Sequence, residues 1–290
     1  MAIFEGSAVA LVTPFTENGV NVTALKKLLD YQLEGGTDAI VVCGTTGEPS
    51  TMTEEERDLV IRESIAHVDG KVPMIVGTGS NCTAHAVELS KKAQDMGADG
   101  LLVVTPYYNK CSQEGLVRHY TAIADSVNLP IIAYNVPGRT GVNMKPETLA
   151  KLSKHPNMAA MKEASGDISQ VAEMARIGGV DLYSGNDDQI VPLMSLGGKG
   201  VISVLANVAP KVAHDIAALY LAGDVKKSAE MQLYYKPLID ALFMDVNPIP
   251  VKVALNLMGF EAGPLRLPLC EMTAEKTAAL RDMLAQYGLV

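Results

Sequence analysis

Met158-Ala-Ala-Met-Lys162-Glu-Ala-Ser-Gly166 is a short apolar run that delivers one lysine and breaks at Ser165-Gly166. An apolar segment this short, closed by a turn signal, reads as a buried strand. A lysine at its end is costly to bury as an ammonium, and burial favours the neutral amine. A neutral amine is a nucleophile towards carbonyl carbon. Taken alone, the stretch favours a plainer reading, a lysine whose stem follows the strand end into solvent. The rest of the chain changes that weighting.

The same grammar recurs on both sides. Ser7–Val12, Ala39–Val42, Val72–Val76, Leu101–Val104 and Ile131–Tyr134 precede the lysine run, and Leu182–Ser184 and Val201–Val204 follow it. Amphipathic stretches separate them. Leu25, Leu28, Leu29 and Leu33 share one face of a helix running from Val22 to about Gly35. Thr53-Glu-Glu-Glu56 is a capping box for the next helix, and its acids suit the helix dipole without a catalytic reading. Further helices fall near Thr83–Met96 and Gln113–Ser126, and Pro146 opens a short one. Eight β-then-α units predict an α/β fold of the (β/α)8 TIM-barrel type over residues 1–223. Beyond Gly223 the pattern turns all-helical (Lys226–Phe243, Pro250–Leu257, Thr273–Tyr287), which predicts a C-terminal helical appendage over residues 224–290. A doubly wound dinucleotide fold is the alternative, but Gly77-Thr-Gly-Ser-Asn-Cys82 lacks the third glycine of that fingerprint. Gly197-Gly-Lys-Gly200 follows a helix and precedes a strand, so it reads as a helix C-terminal turn rather than a phosphate cradle.

Composition narrows the function. Of 290 residues 48% are apolar, and net charge is −9 with a pI near 5.1, a poor match for nucleic acid or an anionic membrane. No run of about 18 apolar residues and no basic-then-apolar leader occurs, which predicts a soluble cytoplasmic protein. Cys43, Cys82, Cys111 and Cys270 form no C-x-x-C pair, and the five histidines lack ligand spacing, so no metal is expected. The isolated histidines read as surface or edge residues.

In a barrel the active site lies at the carboxyl ends of the strands. Those ends carry Thr45 and Thr46, Tyr107 and Tyr108, Tyr134 and Arg139, Lys162, and Gly185. Each has a plain explanation, such as a turn, a rim aromatic or a surface charge. Converging on one mouth, they are the parts of a keto-acid aldolase.

Gly44-Thr-Thr-Gly-Glu48, Thr105-Pro-Tyr-Tyr-Asn109, Tyr134-Asn-Val-Pro-Gly-Arg-Thr-Gly141, Lys162-Glu-Ala-Ser-Gly166 and Gly200-Val-Ile-Ser-Val204, with Asn247-Pro-Ile-Pro-Val-Lys252 and Leu265-Arg-Leu-Pro268, resemble the 4-hydroxy-tetrahydrodipicolinate synthase (dihydrodipicolinate synthase) family over nearly the whole chain. The resemblance implies a condensation of pyruvate with aspartate semialdehyde in lysine biosynthesis, with no metal or organic cofactor. It implies a pyruvate Schiff base on Lys162, acid/base work by Tyr134, and a proton relay through Thr45 to Tyr108 of a neighbouring subunit. Thr46 would hold the pyruvate carboxylate and Arg139 the aldehyde's carboxylate, a task suited to a guanidinium fork. Gly185 and Ile202 would supply backbone groups near the substrate. A homo-oligomer is implied, a tetramer made of two tight dimers. N-acetylneuraminate lyases and keto-deoxy sugar-acid aldolases share the lysine and tyrosine, but Thr45 and Arg139 fit the synthase better. A barrel that only binds a keto acid, as sensor or scaffold, is the rival of another class. Family members inhibited by lysine resemble one another in a pocket of two histidines, an asparagine, a glutamate and a tyrosine. This chain keeps Asn81 and Tyr107 but has Glu54, Arg57 and His85 at the other places, which predicts weak or absent inhibition.

Overall fold

In the computed structural model, which describes residues 2–290, eight parallel strands close into a barrel. They are β1 (Gly6–Ala10), β2 (Ala39–Val42), β3 (Met74–Gly77), β4 (Gly100–Val104), β5 (Ile131–Asn135), β6 (Met158–Glu163), β7 (Asp181–Ser184) and β8 (Gly200–Ser203). Each strand pairs with its sequence neighbours, and β8 closes on β1 with Gly6 opposite Gly200 and Ile202 opposite Ala8. Closure is tight at that first pair: a Cβ on Gly200 would lie 1.8 Å from the Gly6 carbonyl oxygen, a position open only to glycine.

Side chains alternate across each strand. Inward from the barrel wall point Ala8, Ala10, Ala39, Val41, Ile75, Leu102, Ile132, Tyr134, Ala160, Tyr183 and Ile202, a core of mostly small and branched residues. Phe4 closes the amino-terminal end, stacked on Tyr183 at 4.3 Å while the Tyr183 hydroxyl donates to the Phe4 carbonyl at 2.6 Å. The outward set (Val9, Ile40, Val42, Val76, Leu101, Val103, Ala133, Met161 and Leu182 among others) meets the helices. The alternation carries Lys162 inward and its neighbour Glu163 outward.

The helices that cover the barrel include α1 (Val22–Glu34), α2 (Glu54–Val68), α3 (Thr83–Asp95) and α4 (Gln113–Ala124). The Thr53 capping box of α2 forms as the sequence predicts, with both reciprocal hydrogen bonds present. A helix at Pro210–Leu221 completes the ring. Three more follow, at Val225–Ala241, Ile249–Leu257 and Ala274–Gln286. The Gly197–Gly198 segment closes the short helix Ile190–Met194, its amides donating to the Met194 and Leu193 carbonyls.

The structure adds elements too short for a periodicity to show. Phe15–Thr16 and Gly19–Val20 form a two-stranded hairpin, and Pro137–Thr140 is a single helical turn that carries Arg139. One expectation is corrected: His119 is buried rather than at the surface. Its Nδ1 lies 2.9 Å from the Thr83 hydroxyl, and burial pushes its pKa down to about 4. No helix is long and apolar enough to cross a membrane, and no group of three or more His, Cys, Asp or Glu among the described residues could hold a metal ion.

Candidate active site

Lys162 is 5% exposed, so it does not snorkel. It sits between two tyrosines in the sheet, opposite Tyr134 on β5 and Tyr183 on β7. Its Nζ lies 4.4 Å from the centre of the Tyr134 ring. Burial, helped by the positive charge of Arg139 and opposed by Asp187, lowers its amine from the ordinary 10.5 to about 8. This is the shift an imine-forming lysine needs, because only the free amine attacks a carbonyl. Gly185 makes room for it. A Cβ there would stand 3.1 Å from Lys162 Cε and 2.6 Å from the Ala164 side chain.

Tyr134 is buried, and burial raises its phenol, with the Arg139 cation and a hydrogen bond to Thr45 pulling the other way. A phenol that keeps its proton, within a hydrogen bond of a hydroxyl that leads outward, can hand protons to and from a reacting centre. Thr45 and Thr46 lie in a 3₁₀ turn, Thr45–Gly47, just beyond β2. Thr46 is buried and its Oγ1 accepts from Asn247 Nδ2 at 3.1 Å. Arg139 stands at the rim and donates to the Asn247 carbonyl at 3.1 Å. The mouth therefore brings Lys162, Tyr134, Thr45, Thr46 and Arg139 together.

The remaining candidates stand differently. Tyr108 points away, 89% exposed, on a residue held at φ 72°. Left-handed backbone is uncommon outside glycine, and here it turns the ring out of its own barrel. Ile202 is buried in the barrel interior. The Gly185 N–H is committed to the Glu163 carbonyl at 2.8 Å.

The sequence reading passed over two residues. Asn247 ties Thr46 to Arg139, and its Oδ1 is buried without a partner. The stretch Asn247-Pro-Ile-Pro-Val-Lys252 carries part of the family resemblance, and its Asn-Pro-Ile-Pro pattern is the signal in sequence, but no role follows from it for Asn247. Asp187 is buried beside the lysine. Its Oδ2 accepts from the Val204 and Leu205 amides at 3.0 and 2.9 Å, its Oδ1 has no partner, and burial raises its carboxyl. An acid just after a strand end was visible in Gly185-Asn-Asp187, but nothing local separates it from a helix cap. A cleft of about 350 Å³ flanks the mouth, lined by Ser165, Asp187, Asp188, Ile239, Asp240 and Phe243 among others. It includes neither Lys162 nor Tyr134.

Residues 3–287 match the model of the dihydrodipicolinate synthetase family. The chain belongs to that family. Family relatives named 4-hydroxy-tetrahydrodipicolinate synthase include one from Thermoanaerobacter sp. (strain X514), 57% identical over 100% of this chain and 99% of its own length. Another, from Caldicellulosiruptor saccharolyticus, is 58% identical over the same shares. Among solved structures, the dihydrodipicolinate synthase of Thermotoga maritima superposes with a TM-score of 0.97 at 45% identity, covering 99% of this chain and 100% of that one. Family membership thus agrees with the (β/α)8 fold.

Proposed function

We propose that the chain is a 4-hydroxy-tetrahydrodipicolinate synthase, condensing pyruvate with L-aspartate 4-semialdehyde. The observation that carries the reading is a buried lysine with its amine at about 8, facing Tyr134 in a mouth that also holds Thr45 and Arg139.

The chemistry follows from the groups. The free Lys162 amine adds to the pyruvate carbonyl and water leaves, giving a protonated imine. That cation is an electron sink, so the pyruvate methyl gives up a proton and becomes an enamine carbon. The enamine attacks the aldehyde, and the aldehyde oxygen takes up a proton. The substrate's own amine then closes on the imine carbon, and the C–N bond to Lys162 breaks to release the amine. Tyr134 moves the protons, with Thr45 as the link outward. Thr46 holds the pyruvate carboxylate, and Arg139 the carboxylate of the semialdehyde by a paired hydrogen bond. The carbonyl of Gly185 and the backbone of Ile202 line the substrate's place. The lysine itself supplies the electrophile, so neither metal nor organic cofactor is needed.

Tyr108 serves a neighbouring copy, and its exposure supports that role. The assembly in this reading is a homotetramer of two tight dimers working in the cytoplasm. Residues 1–223 form the catalytic barrel and residues 224–290 a helical domain that lends Asn247 to the mouth.

Borohydride reduction in the presence of pyruvate tests the reading. Reduction converts the transient imine into a stable amine, so Lys162 is expected to carry the label and turnover to cease. Lys162→Ala should abolish both while folding normally. A label on another lysine, or none, overturns the assignment.

A further inference from the structure

The turn that carries Thr45 and Thr46 ends on an unusual residue. Glu48 is buried, adopts a left-handed conformation at φ 54°, and donates its N–H back to the Thr45 carbonyl at 3.2 Å. A non-glycine residue in that conformation persists where its surroundings hold it there. Its side chain is gripped from the far end of the chain. Lys252 Nζ, on the helix Ile249–Leu257, donates to Glu48 Oε1 at 2.6 Å, and both side chains are 1% exposed. The Arg266 N–H reaches Glu48 Oε2 at 3.4 Å.

The pair lies in a larger charged knot. Lys252 Nζ stands 4.1 Å and the Arg266 guanidinium 3.9 Å from the Phe15 ring centre. Arg266 is in turn held by Glu56 through two hydrogen bonds of 2.6 Å and donates to the Thr51 carbonyl at 3.0 Å. The loops after β1 and β2, the first turn of α2 and the helical tail all meet here. Lys252 is shut away from solvent, and its ammonium meets the Thr45–Gly47 turn at Glu48. A buried ion pair is seldom worth more to stability than apolar residues of the same shape, so stability alone is a weak reason for this one. Its geometrical effect is specific. The turn is pinned by Thr13 Oγ1 on the Gly47 carbonyl (2.8 Å), Asn247 on Thr46, and Lys252 on Glu48.

We propose that Lys252 is a positioning residue for pyruvate: its buried pair with Glu48 fixes the turn that presents Thr45 and Thr46 to Lys162. The proposal rests on the synthase reading, in which Thr46 holds the pyruvate carboxylate. Displacing a binding group by about 1 Å can cost about 100-fold in rate. The semialdehyde's anchor, Arg139, is on a different loop and is tied to this turn through the Asn247 backbone carbonyl rather than through Glu48, so the damage should fall first on pyruvate.

The test uses the full chain and the double variant Glu48→Gln/Lys252→Met, which removes both charges and keeps volume. Such neutral replacements leave stability close to the parent's. Three quantities are measured: Tm, the pyruvate concentration giving half-maximal borohydride labelling of Lys162, and KM for each substrate. The pyruvate requirement is expected to rise about tenfold or more, with KM for the semialdehyde within about twofold of the parent. A role confined to stability moves Tm and the active fraction, but not one KM against the other. A folded double variant with the parent's pyruvate requirement overturns the proposal. Should the double variant not fold, Glu48→Asp keeps the charges and shortens the tether by one methylene, and an unchanged pyruvate requirement there overturns it equally. The parent is labelled alongside. Failure of pyruvate to label the parent at Lys162 would reject the synthase reading itself, whereas a labelled parent with an unaffected variant rejects only the role of Lys252.

Discussion

The rate at which Lys162 captures pyruvate should follow the free amine. The ordinary lysine pKa of 10.5 falls here to about 8, which corresponds to about 3 kcal/mol of preference for the neutral form. With Lys162 almost wholly buried, solvent does little to screen that preference. At pH 7 roughly 9% of the lysine is then free amine, against roughly 0.03% for an ordinary one, about a 300-fold difference in reactive species. Because the pKa is depressed, raising the pH through about 8 fills the reactive form and then saturates it. Between pH 7 and pH 9 capture at fixed, subsaturating pyruvate should rise about tenfold and level off above that. An unperturbed lysine would instead climb about 100-fold over the same interval and go on climbing. In the assay, enzyme and pyruvate are aged for varied times at each pH and quenched into borohydride at one fixed pH. Labelled Lys162 is then counted by mass spectrometry. The field of Arg139 lowers this pKa, so Arg139→Ala should move the inflection upward, whereas Asp187 raises it and Asp187→Asn should move it downward. A capture rate that rises without a plateau to pH 10 refutes the reasoning.

Arg139→Ala should leave pyruvate labelling at saturation nearly intact while raising the semialdehyde requirement steeply, by about 10- to 100-fold for a lost charge-assisted pair. Steady-state KM values for both substrates check it, and equal damage to both would make Arg139 structural. Mixing inactive Tyr108→Phe and Lys162→Ala chains should restore part of the activity in hybrids, since a hybrid can hold one complete site. No recovery after proven subunit exchange counts against a shared site. Millimolar lysine should inhibit weakly or not at all, measured as initial rates at subsaturating pyruvate. The Arg57 guanidinium already donates to the Gly77 carbonyl, and Glu54 lies 3.8 Å from Lys92, so the acid that could receive a second ammonium is partly neutralised. Strong inhibition would mean that another acid takes the ammonium.

What could be read from the chain, and what could not, divides by sequence separation. Lys162, Tyr134, Thr45, Thr46 and Arg139 each sit at the end of a short apolar run, and a barrel gathers all such ends at one mouth. Their convergence therefore needs no knowledge of side-chain contacts. The burial of Lys162 also follows from alternation, since residue 160 faces inward and residue 162 must as well. Asn247 and Lys252 escape that logic. Their partners Thr46 and Glu48 lie 201 and 204 residues away, and no local pattern announces a contact across that distance. Both fall in a helical tail that binary patterning marks only as packing on the barrel. Pro137–Thr140, one helical turn of four residues, is below the length at which periodicity carries information. His119 shows the converse, a polar residue on a helix whose burial depends on the neighbouring helix rather than on its own surroundings in sequence.

The Glu48–Lys252 contact also sets an order of events during synthesis. A ribosome adding about 5–20 residues per second needs about 10–40 s to travel the 204 residues from Glu48 to Lys252. By the time Ser203 is added all eight strands have been made, yet the acid at the end of the Thr45–Gly47 turn still has no Lys252 cation to meet. A carboxylate without its partner resists leaving water, so the nascent barrel should keep this loop hydrated and open. The loop settles only when the last helices dock. Competence to bind pyruvate would then be acquired only once Lys252 has been added and its helix docks, and a nascent barrel halted before residue 247 would have its lysine without the threonines in place to use it.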